Sequence, residues 1–127
     1  MPRYFTIDEA NAALSIIRPL MDEIQTIRLN VLERQPDVWP VIQKAAGNGG
    51  SHDASLLALD FEQLDKRIHQ IMDMGVILKD INAGLLDFPA LRNDHEVYLC
   101  WLYGEDDIAF WHDLDAGFAG RTPIELF

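Results

Sequence analysis

The spacing of the apolar residues changes at Gly75, and this change limits the classes of fold that the chain can adopt. Before Gly75, apolar residues recur at alternating three- and four-residue steps, the pattern of helices that pack lengthwise against each other. After Gly75, short apolar runs with an extended period predict β-strands. Helices followed by strands predict an α+β fold, with a long N-terminal helical hairpin packed on a small C-terminal antiparallel sheet.

The first helix of the hairpin has a recognisable start. The segment TIDE, from Thr6 to Glu9, has the form of a capping box, in which a hydroxyl and a carboxylate bind the free amides of the first turn. Pro19 lies inside the apolar pattern, and because the pattern continues beyond it, we expect a kink rather than an end. The seam predicted to face the second helix consists of Ala10, Ala13, Ile17, Leu20, Ile24, Ile27 and Val31.

The second helix is predicted to begin at about Ser51 or Asp53 and to stop at Gly75, since glycine is typical of helix C-termini. Its own seam should pair with that of the first helix. Residues 35–52 are too many for a tight turn between two helices. We therefore expect a flexible connection there, with one short helix over residues 37–46.

Four strands are predicted after Gly75, at residues 76–79, 84–88, 96–103 and 107–112, the second of them ending at Pro89. The turn GEDD would join the last two and place Leu99 opposite His112 and Trp101 opposite Phe110. Both faces of this ribbon are then apolar, whereas one layer of helices covers one face. The other face needs the C-terminal tail, a second subunit or a ligand as cover.

The length and net charge of the chain limit the number of domains and the kinds of partner that it can have. The 127 residues, 49% of them hydrophobic, fit a single domain over residues 1–127, with the helical hairpin at 6–75 and the sheet and tail at 76–127. The net charge of -11 argues against nucleic acid and anionic membranes as partners. Without a signal-peptide pattern or an 18-residue apolar run, a cytoplasmic protein is expected. The single cysteine, Cys100, should be a reduced, buried thiol.

Charged and polar residues in the C-terminal third are the candidates for a site. Asp87 interrupts an apolar strand and therefore needs a partner, for which an ion pair with Arg92 or Arg121 is predicted. His112 lies among aromatic residues, where an imidazole can be a core residue, a general base or a metal ligand. The candidate catalytic residues are Asp87, His112 and Arg121, and the candidate ligand-binding residues are Arg92, Trp101 and Asp115, with Arg121 suited to a small anionic ligand.

A divalent metal is a further hypothesis. The predicted register places Glu96 opposite Asp115, with His95 beside them, at the end of the ribbon where His112 lies. These four residues are the candidate metal ligands, and imidazole with carboxylate suits zinc, manganese or magnesium. The spacing HDLD is not a specific metal signature, so a solvated acidic strand end is the alternative.

Three segments carry a resemblance to a known family: YFTIDEANAALSIIRPL, GVILKDINAGLLDFPA and VYLCWLYGEDDIAFWHDLDAGFAGRTPI. They resemble the bacterial domain-of-unknown-function family number 2203, over nearly the whole chain. The resemblance implies membership of that family, and it implies no reaction.

Two functions from different classes follow from these patterns. The first is an interaction or scaffolding role, in which the protein forms a homodimer through its long helices or through its two-sided aromatic sheet. The alternative is a small-ligand-binding or metal-binding protein, or an enzyme, with a site around Asp87, His112 and Arg121. No motif in the sequence specifies a substrate.

Overall fold

The computed structural model describes residues 3–46 and 58–127. The helices are α1 (Ile7–Arg34), α2 (Trp39–Ala45) and α3 (Ala58–Asp73), and the strands are β1 (Ile77–Asp80), β2 (Leu85–Arg92), β3 (His95–Leu102), β4 (Phe110–Asp113) and β5 (Thr122–Pro123). Helices packed beside a separate antiparallel sheet confirm the predicted α+β class. Over the described ranges, no helix combines the length and the apolar character needed to cross a membrane.

Helix α1 begins as the sequence predicts. The Thr6 hydroxyl accepts a hydrogen bond from the Glu9 amide at 3.0 Å, and the Glu9 carboxylate accepts one from the Thr6 amide at 2.9 Å, so the capping box is confirmed. The helix continues through Pro19 to Arg34. The predicted seam is confirmed in large part, because the buried side chains of α1 are Ala10, Ala13, Leu14, Ile17, Met21, Ile24 and Val31.

The second half of the hairpin is described from Ala58 onward. The predicted helix start at Ser51 or Asp53 lies outside the described residues, as do residues 47–52 of the predicted flexible connection. The predicted short helix is confirmed as α2, which follows a 3-10 turn at Pro36–Val38. Gly75, predicted as the stop, has a φ of +90°, a conformation that favours glycine.

Helices α1 and α3 share one hydrophobic core with the sheet. Leu64, Ile68 and Ile71 of α3 are buried in the same cluster as the α1 seam. At the surface of this helix pair, Nε of Arg67 donates to the Glu23 carboxylate at 2.6 Å. The pairing of the two helical seams, which the apolar spacing predicts, is therefore present in the structure.

The sheet is antiparallel throughout, with the strands in chain order from β1 to β5. Strands β2 and β3 are joined by a two-residue turn, Asn93 and Asp94, whose φ angles are 51° and 66°. Turns with two positive φ values match the twist of antiparallel strands, and Asn and Asp tolerate them better than most residues. This turn sets the register of the longest strand pair, β2 with β3.

Strand β2 does not end at Pro89, and that prediction is wrong. The carbonyl of Pro89 accepts a hydrogen bond from the Phe5 amide at 2.7 Å. The backbone nitrogen and carbonyl of Pro89 therefore point away from β3. Strand β1 pairs with β2 only as far as Asp87. A missing N–H at Pro89 therefore removes no ladder hydrogen bond, and the strand continues to Arg92.

The predicted register between β3 and β4 is wrong by one residue. The observed pairs are Tyr98 with His112, Leu99 with Trp111 and Cys100 with Phe110. The reason lies in the connection: Ile108 is buried and its amide donates to the Asn11 side chain of α1 at 2.8 Å. Because Ile108 is held by the helix, β4 starts only at Phe110, and its side chains alternate in the opposite sense from the prediction.

The sheet consequently has two different sides. The helix-facing side carries buried apolar residues, namely Leu86, Phe88, Ala90, Val97, Leu99, Trp101 and Trp111. The outer side carries Asp87, Pro89, Tyr98, Cys100, Phe110 and His112. The C-terminal tail adds the unpredicted strand β5, in which Thr122 pairs with Trp111.

Candidate metal centre

Three buried side chains from different strands bring their polar atoms together on the outer side of the sheet. Asp87, Cys100 and His112 are only 1%, 0% and 3% exposed. A carboxylate oxygen, the thiol sulfur and an imidazole nitrogen all lie within 4.8 Å of one another. Within residues 3–46 and 58–127, no other group of three His, Cys, Asp or Glu side chains has a spacing that could hold a metal ion.

Strand register explains why these three residues meet. The turn at Asn93 and Asp94 places Asp87 directly opposite Cys100 on the neighbouring strand. His112 lies opposite Tyr98, two residues from Cys100 on the same side of β3. Side chains at such opposite and diagonal positions are within reach of each other.

The hydrogen bonds of His112 determine which ring nitrogen faces the centre. Nδ1 lies 2.7 Å from the carbonyl oxygen of Asp113, and because a carbonyl can only accept, Nδ1 donates and carries a proton. Nε2 lies 3.0 Å from Oδ1 of Asp87, so one further proton is shared between imidazole and carboxylate. Metal-bound histidines commonly donate their other ring N–H to a carbonyl in this way.

The arrangement does not suit a cysteine nucleophile. In a nucleophilic triad, the histidine contacts the nucleophile through one ring nitrogen and the orienting acid through the other. Here Asp87 occupies Nε2 and a backbone carbonyl occupies Nδ1, so no ring nitrogen remains to take the thiol proton. Burial raises the pKa of Cys100 to about 12, which keeps the thiol protonated at neutral pH when no metal is bound.

The same geometry suits a tetrahedral metal ion. Zinc bonds of about 2.0–2.3 Å place neighbouring tetrahedral ligand atoms roughly 3.3–3.8 Å apart. The contact between Nε2 of His112 and Oδ1 of Asp87 is slightly shorter, at 3.0 Å, and all three candidate atoms lie within 4.8 Å. Small side-chain rotations would therefore bring the three atoms to bonding distance of one ion.

The centre lies on the opposite side of the sheet from the apolar residues that pack against the helices. The Tyr98 ring lies over the outer side with its centroid 5.5 Å from that of His112, and Nζ of Lys79 lies 5.4 Å from the Tyr98 ring. Three surface cavities of about 780, 430 and 370 Å³ are lined by residues other than Asp87, Cys100 and His112. The centre is thus a compact, buried cluster on the outer side of the sheet.

Arg121 borders the centre next to Cys100. One guanidinium nitrogen donates to both carboxylate oxygens of Glu105, at 2.7 and 2.9 Å, and to the Cys100 carbonyl at 3.4 Å. The guanidinium also lies over the rings of Phe110 and Phe118, at 4.0 and 4.7 Å from their centroids. A fixed positive charge therefore lies beside the thiol.

The predicted ion pair of Asp87 with Arg92 or Arg121 is wrong. Asp87 bonds to His112, and Arg121 forms its ion pair with Glu105. The sequence pattern showed that a buried acid needed a partner, but sheet register selected a histidine from β4 instead of an arginine.

Two of the predicted ligand-binding residues lie elsewhere. Nε of Arg92 donates to the Phe127 carbonyl at 3.2 Å, and its guanidinium lies 4.6 Å from the Trp111 ring. Trp101 is 1% exposed on the helix-facing side, and its indole N–H donates to the Glu105 carbonyl at 3.0 Å. Both residues serve packing and hydrogen bonding of the fold.

Of the four predicted metal ligands, only His112 belongs to the centre. His95 and Glu96 are exposed at the start of β3, and Glu96 accepts a hydrogen bond from the Tyr4 hydroxyl. Asp115 is exposed beyond the end of β4. The predicted assembly at the strand end rested on the shifted register, so it does not form.

Cys100 is the functional candidate that the sequence reasoning missed. Its apolar neighbours suggested a packing role, and its buried, unpaired state is confirmed. A signal was available in the dipeptide Asn93-Asp94, because a two-residue turn there places Cys100 opposite Asp87. The contact with His112 could not be derived in the same way, since the β3–β4 connection is irregular.

The fold and the centre together define a small α+β protein with a buried Asp, Cys and His cluster. The chain belongs to the DUF2203 family, described as "Uncharacterized conserved protein (DUF2203)", whose family model matches residues 3–124. This match confirms the predicted family. No curated protein and no solved structure matches the chain.

Proposed function

We propose that this protein binds one divalent transition-metal ion, zinc in preference to others, through Asp87, Cys100 and His112. The observation that supports this function is the convergence of three buried ligand atoms within 4.8 Å. Three protein ligands leave the fourth tetrahedral position open, as in zinc sites that bind water or a substrate.

The ligand set favours particular metals. A thiolate and an imidazole are ligands for zinc, cobalt and copper, whereas magnesium and calcium prefer oxygen donors alone. Cys100 therefore argues against magnesium, which the sequence left open. A bound metal would also displace the thiol proton, and the charges of the Asp87 carboxylate and the thiolate would then neutralise a divalent ion.

Cobalt substitution tests this function directly. Purified full-length protein, stripped with a chelator, should bind about one Co²⁺ per chain. Binding should produce a thiolate-to-cobalt charge-transfer band in the near ultraviolet and tetrahedral bands in the visible spectrum. Zinc should displace cobalt, and magnesium should not. A folded protein that takes up neither cobalt nor zinc would refute the proposal.

Matched variants assign the ligands. Cys100→Ala leaves the bond between Asp87 and His112 in place, so the fold should be retained while the charge-transfer band is lost. His95→Ala removes an exposed histidine from a neighbouring position, and cobalt binding should be unchanged. An unchanged near-ultraviolet band in Cys100→Ala would show that cobalt binds at another site.

Self-association is the second candidate function, and a different observation favours it. On the outer side of the sheet, Leu91 is 45% exposed, and Phe118, stacked on Arg121, is 48% exposed, while Leu102 and Pro89 are only half-buried. On α1, Ile16 is 57% exposed. A homodimer, through this outer side or through a coiled-coil contact of α1, would cover such surfaces and support an interaction or scaffolding role.

Analytical ultracentrifugation separates these two routes of association. Wild-type protein at micromolar concentration should sediment as a dimer. Leu91→Lys should shift it toward monomer if the outer side is the interface, and Ile16→Lys should do so if α1 is. A monomeric wild-type protein would remove this second function.

The proposed metal site also requires a compartment in which the thiol of Cys100 stays reduced. A reducing bacterial cytoplasm, as expected from the sequence, would keep the single thiol of Cys100 available as a ligand.

A further inference from the structure

We infer that Arg121 is a positioning residue of the metal centre, which donates a hydrogen bond to the thiolate of Cys100 when the metal is bound. This inference rests on the proposed metal function and adds a residue that acts on the metal through one of its ligands. Arg121 does not itself contact the metal in this arrangement, and no further molecule has to enter the buried centre.

The strand register places Arg121 beside Cys100. Phe110 lies directly opposite Cys100 on β4 and shares the outer side of the sheet with it. The Arg121 guanidinium lies 4.0 Å from the centroid of the Phe110 ring, and one of its nitrogens lies 3.4 Å from the Cys100 carbonyl oxygen. Asp87 lies opposite Cys100 on β2, the strand on the other side of β3. Cys100 is therefore flanked by a proposed metal ligand on one strand and by a stacked arginine on the other.

Contacts that do not involve the thiol fix the position of Arg121. Its side chain is only 12% exposed, and its guanidinium lies over the rings of Phe110 and Phe118. One guanidinium nitrogen donates to both carboxylate oxygens of Glu105. An arginine held in this way loses little conformational freedom when it forms one more hydrogen bond. The donor is thus in place before the metal binds.

The thiol of Cys100 already interacts with Arg121 when no metal is bound. Burial is the largest influence on the pKa of Cys100 and raises it to about 12, whereas the charge of Arg121 and a hydrogen bond from its side chain act in the opposite direction. A neutral thiol is a weak acceptor, but a thiolate carries a negative charge and accepts stronger, charge-assisted hydrogen bonds. Because a bound metal ion displaces the thiol proton, the hydrogen bond from Arg121 should strengthen on metal binding.

The expected effect of Arg121 is that of a directed hydrogen bond. Glu105 balances the charge of Arg121, so the pair adds no net charge to the centre. An N–H group that donates to a metal-bound sulfur withdraws electron density from that sulfur. Groups that bond to metal ligands in this way orient the ligands and tune the metal, and their loss typically lowers metal affinity about 10–100-fold.

The near-ultraviolet charge-transfer band of the cobalt-loaded, full-length protein reports on this hydrogen bond, because the energy of the band depends on the electron density of the sulfur. Arg121→Met removes every N–H donor of the side chain. It should move the band to longer wavelength, since a sulfur that loses a hydrogen bond gives up an electron more readily. The same variant should weaken cobalt binding about tenfold, measured by competition with a chelator.

Matched variants separate the hydrogen bond from a general effect of losing an arginine. Arg18→Met removes an arginine whose side chain is 41% exposed, so the band should stay in place and the cobalt affinity should change less than about twofold. Arg121→Lys keeps a charged donor and should restore the band part of the way to its wild-type position. If Arg121→Met does not fold, Arg121→Gln, which keeps a polar group beside Glu105, is measured in its place with the same expected direction.

The wavelength of the band decides between the outcomes. A band at the wild-type wavelength in the Arg121 variant, even with weaker cobalt binding, would show that Arg121 supports only the fold. That result, or a shift of equal size in Arg18→Met, would overturn this inference and leave the metal site standing. A folded protein that binds no cobalt at all would overturn both proposals.

Discussion

The two sides of the sheet are built from the same strands but by different physical rules. The helix-facing side is a continuous apolar layer, in which Phe88 and Leu99 are fully buried against the helices. The outer side buries an acid, a thiol and an imidazole whose polar atoms lie within 4.8 Å of one another. The stability of the helix-facing side depends on how much apolar area is buried. The stability of the outer side depends on which polar residues lie opposite each other.

This difference predicts how well each side of the sheet should tolerate amino-acid substitutions. An apolar layer accepts many arrangements as long as volume is preserved, since the hydrophobic effect has no direction. A buried polar centre accepts few, because each buried donor or acceptor needs a partner in a defined place. Substitutions at four positions follow in order of the size of the expected effect, the first two on opposite sides of the sheet and the others at local features of the chain.

The largest effect is expected on the helix-facing side. Phe88→Ala removes a ring that is 0% exposed and stacks edge-on against Phe5, and the cavity should lower the free energy of unfolding by about 3–5 kcal/mol. Urea unfolding followed by circular dichroism measures this loss. Leu91→Ala, on the outer side of the same strand and 45% exposed, is the control and should cost less than about 1 kcal/mol. Equal losses would contradict the assignment of the two sides.

A smaller but more selective effect is expected at the centre. In metal-free protein, Asp87→Ala leaves the buried His112 without its partner and should cost about 3 kcal/mol. Asp87→Asn should cost only about 1 kcal/mol, because the amide can donate to Nε2 while Nδ1 keeps its bond to Asp113. The measurement is urea unfolding in the presence of a chelator. Equal costs for the two variants would show that the contact between residues 87 and 112 does not stabilise the fold.

The turn that sets the register should show a still smaller effect. Asp94 has a φ of 66°, so Asp94→Ala should cost about 1 kcal/mol, whereas Asp94→Gly should stabilise the protein by about 0.5 kcal/mol. Both values come from the midpoint of chemical unfolding. Asp106→Ala, at an exposed position of another connection, should change stability by less than about 0.5 kcal/mol. A stabilising alanine at position 94 would be inconsistent with the observed turn.

The smallest effect is expected at the start of α1 and depends on pH. Hydrogen bonds from the Thr6 amide and hydroxyl hold the pKa of Glu9 below its ordinary value of 4.5. Because the folded-state pKa is lowered, this contribution is present above the unfolded-state pKa and is lost as the pH falls through the folded-state pKa. Glu9→Gln should therefore flatten the acid side of the stability profile slightly. Thermal unfolding across the acid range, with Glu33→Gln as control, measures the change, and identical profiles for Glu9→Gln and wild type would disprove the contribution.

Sequence patterns predict the presence of helices and strands better than they predict where the strands end and how they pair. The capping box of Thr6 and Glu9 and the stop at Gly75 depend on interactions within a few residues, so local sequence is enough to place them. The end of β2 was misplaced because Pro89 loses no hydrogen bond at an edge where β1 has already stopped. The tail strand at Thr122 was missed because two residues carry too little pattern to be recognised.

The candidate site was predicted in part. The sequence predicts Asp87 and His112 as candidates because each is a polar residue within an apolar strand, and this pattern is recognisable without the tertiary structure. The apolar neighbours of Cys100 predict a packing role for it. A regular four-residue hairpin would place Asp115 and Glu96 near His112, but the observed connection shifts the register by one residue.

The sequence by itself determined the division into helices and strands, the start of α1 and the apolar character of both sides of the sheet, because these depend on composition and on periods of two to four residues. Only the tertiary structure decided that His112 meets Asp87 and Cys100. The hydrogen bond from Ile108 to Asn11, residues that are far apart in the chain, shifts β4 by one position. Because side chains alternate along a strand, that single shift decides which polar groups share a side.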